Sequence, residues 1–279
     1  MGTLLDGQRQ SYPNSDAIEW DGSAFKPTEM NRDETKFKRL RRNIGVAAKL
    51  HETALPYARF NSNTAMRHNV VMVTLTYAKI EDWQPKHIAT YISHVRKWLD
   101  RRTAGVHNLR YVWVAELQKR GAVHYHVLMW LPRGYTMPKA DKQGWWKHGS
   151  SKTEQAVAPV KYIMKYASKL DQKGTDGNGF PAGCRMFGVG GLDKPGRASR
   201  RWLNYPTFIK GRASINESWK RAEGGGWLEE ATGIIWPSEW GVSLMTKKAV
   251  HLLRLHEHER LIDADGPFNW LGEKPATVH

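Results

Sequence analysis

The chain has 279 residues, and its 43 Lys and Arg against 27 Asp and Glu leave a formal net charge of +16. That balance points to an anionic partner, nucleic acid before a membrane surface. A single cysteine, Cys184, excludes an intramolecular disulfide and a cysteine-based zinc site, while strand-length apolar runs and the lack of a signal-peptide or lipidation pattern argue for a cytoplasmic chain without a membrane anchor.

Residues 1 to about 30, rich in Gly, Ser, Asp, Asn and Pro, read as an irregular arm. From Asp33 the pattern turns helical: Phe37, Leu40, Ile44 and Ala48 make an apolar stripe, and Lys36, Lys38, Arg39, Arg41 and Arg42 crowd the remaining surface. With no acidic partner evident in that run, Arg39, Arg41 and Arg42 are candidate phosphate contacts. The β-branched run Val70 to Tyr77 predicts a strand, and Pro85 to Arg101 an amphipathic helix.

Tyr111 to Gln118 and Val123 to Leu131 predict a hairpin, and parity decides what each strand presents. Val123, Tyr125, Val127, Met129 and Leu131 form one apolar face, which sends His124 and His126 together to the other. A three-residue loop of Lys119, Arg120 and Gly121, with Gly121 left-handed, sets Glu116 opposite His124 and Val114 opposite His126. A two-residue loop would instead bury Glu116 beside Trp113, a costly charge burial. Two imidazoles and a carboxylate then converge, a donor set suited to Mg²⁺, Mn²⁺ or Zn²⁺. The plainer alternative is a pair of ordinary strand histidines beside a hairpin glutamate.

Beyond the hairpin, a loop from Pro132 to Ala158 carries Trp145 and Trp146, flanked by Gly144, Lys147 and His148, as candidates for stacking on unpaired bases. Residues 159 to 173 predict a helix opened by Pro159 and stopped by Gly174. Val160, Ile163, Met164, Ala167 and Leu170 form its core stripe; Tyr162, Tyr166, Lys165, Lys169 and Lys173 lie opposite. Ammonium groups there favour a phenolate and attract phosphate. A turn-rich stretch follows, then a strand over Cys184 to Val189 and a helical segment around Arg200 to Ile209. Ser243 to Ile262 reads as a helix with Val250, Leu253 and Leu261 apolar. Within it His256-Glu257-His258 only imitates the earlier motif, because helical residues two apart diverge. No Gly-x-x-x-x-Gly-Lys-Ser/Thr loop is present, so no NTPase module is recognisable.

Thr74-Leu75-Thr76, then Glu116 with His124-Tyr125-His126, then Tyr162-Ile-Met-Lys165-Tyr166-Ala-Ser-Lys169, resemble in order and spacing the three motifs of the HUH endonucleases. The paired Tyr-x-x-Lys units are most similar to the rolling-circle replication initiators of small single-stranded DNA phages. The resemblance covers residues about 70 to 210. It implies an α+β fold with a central antiparallel sheet, the histidine hairpin and packed helices, and a division into a basic extension (1–65), an endonuclease domain (66–211) and a C-terminal appendage (212–279) that serves oligomerisation or origin binding. It also implies metal-assisted tyrosine attack on single-stranded origin DNA, with a 5′-phosphotyrosyl link and a free 3′-hydroxyl. Catalysis would fall to Tyr162, Tyr166, Lys165 and Lys169, and a divalent metal, Mg²⁺ or Mn²⁺ favoured, to His124, His126 and Glu116. A host helicase and polymerase in a bacterial cytoplasm would be the partners. A two-tyrosine transposase, or a non-catalytic basic nucleic-acid-binding regulator, is the alternative.

Overall fold

The computed structural model describes residues 28–53, 69–169, 179–222, 226–238, 240–245 and 249–254. In chain order the elements are β1 (Thr28–Asn31), α1 (Arg32–Thr53), β2 (Asn69–Thr76), α2 (His87–Thr103), β3 (Arg110–Leu117), β4 (Val123–Leu131), β5 (Ser151–Gln155), α3 (Pro159–Ala167) and β6 (Phe187–Gly190). There follow α4 (Lys194–Leu203), α5 (Thr207–Lys210), β7 (Trp219–Arg221), β8 (Trp227–Glu229), β9 (Ile235–Trp236), β10 (Trp240–Met245) and β11 (Ala249–Arg254). Residues 33–220 with 228–234 make one compact unit, and the described parts of 1–32, 221–227 and 235–279 make another. No helix among the described residues is long and apolar enough to cross a membrane.

The larger unit is built on a five-stranded antiparallel sheet in the order β5-β2-β4-β3-β6, an α+β architecture. Both faces of its three central strands are covered. On one, Ile88, Tyr91, Ile92, Val95, Trp98 and Leu99 of α2 pack with Val73, Leu75, Trp113, Tyr125 and Val127. On the other, Phe37, Ile44, Ala47 and Ala48 of α1 and Ile163 and Ala167 of α3 pack with Met72, Val112, Val114, Leu128 and Trp130. Strands buried on both sides read as nearly continuous apolar runs, as Val123 to Leu131 does. The face carrying His124 and His126 is therefore not an open one; the histidines lie where β4 begins, at the rim of the second core.

Several boundaries differ from those the sequence predicts. The helix starting at residue 33 is part of the larger unit, because its apolar stripe covers the sheet, so the division at 65 does not follow the compact units. Nor does the one at 211. Pro206 separates α4 from α5 within the helical segment expected around Arg200 to Ile209. Where a helix was expected from Ser243, β10 and β11 form a hairpin, and β1 pairs with β11 to complete a three-stranded antiparallel sheet. Trp-Gly-Val-Ser-Leu-Met and Ala-Val-His-Leu-Leu-Arg carry the β-branched and aromatic content of strands. Residues 256 to 262, Leu170, Lys173 and Gly174 lie outside the described residues.

Candidate active site

The hairpin has the register that parity predicts. Glu116 pairs with His124 and Val114 with His126. Gln118 N–H donates to the Ala122 carbonyl at 2.9 Å across a loop of Lys119, Arg120 and Gly121, and Gly121 takes φ +87°. A side chain there would strain the turn. On the other flank of β4, Thr76 pairs with His124 and Thr74 with His126. Each threonine hydroxyl lies 3.3 Å from the Nδ1 of its histidine. Alternation on β2 sends Thr74 and Thr76 to the histidine face while Val73 and Leu75 enter the opposite core.

His126 is 4% exposed, and its Nε2 lies 2.9 Å from Glu116 Oε2; the other carboxylate oxygen accepts from Lys169 Nζ at 3.1 Å. Burial opposes ionisation of Glu116, but hydrogen bonds from His126 and Lys169 outweigh it and hold its pKa at about 2. Burial lowers the pKa of His126, against the pull of Glu116, and lowers that of His124 to about 4 with help from His126. At neutral pH the contact is thus a neutral imidazole N–H donating to a carboxylate. Tyr166 stacks on His126, ring centroids 3.4 Å apart and 14° from parallel, with Lys169 Nζ 5.5 Å from the tyrosine ring centre. An open cleft of about 570 Å³ is lined by Glu116, Gln118, Lys119, Arg120, His124, His126 and Lys169.

The two tyrosines are not equivalent. Tyr162 is 42% exposed, whereas Tyr166 is partly buried against the second core. The expectation that both lie away from the core is corrected for Tyr166. Its pKa is raised, because burial outweighs the opposing effect of Lys169 and Glu116 adds to the rise, so the surrounding lysines do not by themselves favour its phenolate. Lys165 is exposed and does not line the cleft; Lys169 does.

The remaining site residues fall elsewhere. Trp146 is 1% exposed, its Nε1 donates to the Thr76 carbonyl at 3.0 Å, and it packs in the first core among Tyr77, Tyr91 and Tyr125. It is unavailable for base stacking. Trp145 is half-buried against Trp98, 6.1 Å between ring centres. Both belong to the opposite side of the sheet from the histidines. Arg39 is exposed, but Arg42 donates to the Leu203 and Tyr205 carbonyls at 2.5 and 3.4 Å, capping the C-terminal end of α4. Lys38 pairs with Glu34 at 2.6 Å, so the basic run is not without acidic partners. Arg41 is half-buried on the same helix.

Sequence reasoning placed Thr74 and Thr76 in the first motif without giving them a contact, and missed Gln118 and Arg120 as members of the site. Parity was the available signal: Gln118 continues the alternation of Glu116, and the threonines match the histidines across an antiparallel ladder. Among the described residues, no three His, Cys, Asp or Glu side chains are already gathered as a cation cage. The donor chemistry nonetheless suits a divalent ion: two neutral imidazoles, each held at Nδ1 by a hydroxyl, beside an ionised carboxylate. Binding would exchange the His126–Glu116 hydrogen bond for ligation.

Residues 70–171 match the family model described as replication-associated protein ORF2/G2P, which supports a role in replication initiation. The matched span runs from within β2 to just past α3 and contains every residue of the cleft. No curated protein and no solved structure matches the chain.

Proposed function

We propose that the chain nicks and rejoins single-stranded origin DNA to initiate rolling-circle replication. The observation that carries this reading is the stacking of Tyr166 on His126 beside Glu116 and Lys169, which groups a tyrosine with an imidazole, a carboxylate and an ammonium at the cleft that His124 also lines. A divalent cation held by His124, His126 and Glu116, Mg²⁺ or Mn²⁺ by the oxygen character of the substrate, would neutralise charge on the scissile phosphate. The tyrosine oxygen gives up its proton to solvent and forms a bond to phosphorus as the bond to the 3′ oxygen breaks, and the departing oxygen takes up a proton from solvent, leaving a 5′-phosphotyrosyl link and a free 3′-hydroxyl. Lys169 offsets the charge that develops on the phenol oxygen and the phosphate. Because the link preserves the phosphodiester's energy, rejoining needs no nucleotide cofactor.

Tyr166, in contact with His126, is assigned the first transfer, and the exposed Tyr162, one helical turn away, the second. The replication character of the matched family favours initiation over transposition. The chain has no recognisable helicase motif, so strand separation and synthesis fall to host proteins. Single-stranded oligonucleotides carrying the origin, incubated with the protein and Mn²⁺, should give a covalent adduct mapping to Tyr166 or Tyr162. The Tyr162→Phe, Tyr166→Phe double variant should give none, and His124→Ala with His126→Ala should bind DNA but not cleave it. An adduct on another residue, or cleavage by the double histidine variant with chelator present, refutes the proposal.

A further inference from the structure

His124 is held by a relay that begins in the hairpin loop. Arg120 donates from Nη1 to the Ala78 carbonyl at 2.7 Å, from Nη2 to the Tyr77 carbonyl, and from Nε to Gln118 Oε1 at 3.0 Å. A guanidinium has only donors, so the amide of Gln118 must turn its oxygen toward Arg120. Its NH₂ then faces His124 Nδ1, 3.0 Å away. That group also only donates, so Nδ1 accepts, and the single proton of the neutral ring sits on Nε2. The Thr76 hydroxyl, 3.3 Å from the same nitrogen, can donate as well and does not oppose this tautomer.

We propose that Arg120 and Gln118 are positioning residues that hold His124 as an Nε2–H donor for a phosphate oxygen, and that cation binding requires the Gln118 NH₂ to give up His124 Nδ1. The reason is geometric. A histidine that ligates through Nε2 carries its proton on Nδ1 and needs an acceptor there. The Thr76 hydroxyl can be that acceptor, but the Gln118 NH₂ would then face the Nδ1–H donor to donor, and turning the amide over to relieve this brings its NH₂ against the Arg120 Nε–H. The relay therefore weakens cation affinity at His124. It also couples cation loading to the contact between the hairpin loop and the Tyr77–Ala78 carbonyls. The inference rests on the cleavage reading of this cleft for its phosphate, and on the hydrogen bonds alone for the tautomer.

Two readouts on the full chain test it: long-range ¹H–¹⁵N spectra of ¹⁵N-histidine-labelled protein without metal, with His124→Gln identifying the signals, and Mn²⁺ titration by calorimetry. In the wild type, His124 Nδ1 should resonate as the unprotonated nitrogen. Arg120→Lys keeps the charge but removes the planar fork, so the tautomers should mix and Mn²⁺ should bind about tenfold more tightly. Gln118→Glu accepts from both neighbours and should move the proton to Nδ1. This second variant keeps the test open should Arg120→Lys fail to fold, and the tautomer separates the relay from a simple change of charge. A wild-type His124 protonated on Nδ1, or variants with unchanged tautomer and affinity, overturns the relay. A chain with the expected tautomer that never cleaves DNA overturns the cleavage reading alone.

Discussion

Lys169→Met removes one of two hydrogen-bonded partners from Glu116 while keeping the length of the side chain. The depression of the Glu116 pKa from 4.5 to about 2 corresponds to about 3 kcal/mol of stabilisation of the ionised form, shared by His126 and Lys169 after burial has opposed it. Lys169 is 39% exposed, so solvent screens its share, which we set at about 1 kcal/mol. The sign follows from linkage. A carboxylate whose folded pKa is depressed stabilises the fold above its unfolded value and loses that contribution as pH falls through the folded value. The destabilisation by Lys169→Met should thus be full at pH 7, begin to shrink as pH falls toward the folded values, and be smaller at pH 2 than at pH 7. Urea unfolding across that range measures it, and ¹³C-detected titration of Glu116 should show its pKa raised yet still below the ordinary value, because His126 remains. A destabilisation equal at pH 7 and pH 2, or an unmoved Glu116 pKa, refutes the assignment of Lys169 to this carboxylate.

The basic helix divides by the same logic. Arg39→Ala should flatten the salt dependence of single-stranded DNA binding by roughly 0.7 in logarithmic slope if it meets one phosphate, whereas Arg42→Ala should chiefly destabilise the fold, by about 1 kcal/mol, because it loses the α4 cap. Salt titrations and thermal melts of the two variants distinguish these effects. His51 is fully buried against Trp130, and burial, with the nearby charge of Arg110, lowers its pKa from 6.5 to about 4. The unfolded chain therefore binds the proton first. Stability should fall as pH drops from 6.5 to 4, by about 3 kcal/mol from this residue, and His51→Leu should flatten that limb in urea titrations.

What the sequence made legible follows from how strongly one face of each element was constrained. The hairpin register was readable because sliding it by one residue would bury Glu116 beside Trp113. The edge strand β5 was not readable: Ser-Lys-Thr-Glu-Gln has no apolar face, and it becomes a strand only by pairing with β2. β6, Phe-Gly-Val-Gly, was legible as a strand but not in its bounds: it begins at Phe187 rather than Cys184 and runs one residue past Val189. The burial of Trp146 and the second cover on the histidine face depend on which loops and helices return to the sheet, which local periodicity does not encode. Tyr166 was legible as a neighbour of Tyr162 on the helix but not as a partner of His126, because that contact depends on how α3 crosses the sheet.

The covered histidine face also explains why the site has its particular composition. A cleft at the rim of a core can hold imidazoles neutral by desolvation, while a wholly exposed strand would leave them near their ordinary pKa. The same desolvation would expel a carboxylate unless donors accompany it, and here His126 and Lys169 supply them from two different elements. Lys169, in the turn just past α3, therefore joins the end of that helix to the hairpin, and Tyr166 of α3 reinforces the joint by stacking on His126. Moving α3 disturbs the carboxylate and the proposed nucleophile together. Tyr162, one turn earlier and outside this joint, is free to respond to DNA without disturbing either, which is the physical basis for giving the two tyrosines separate transfers.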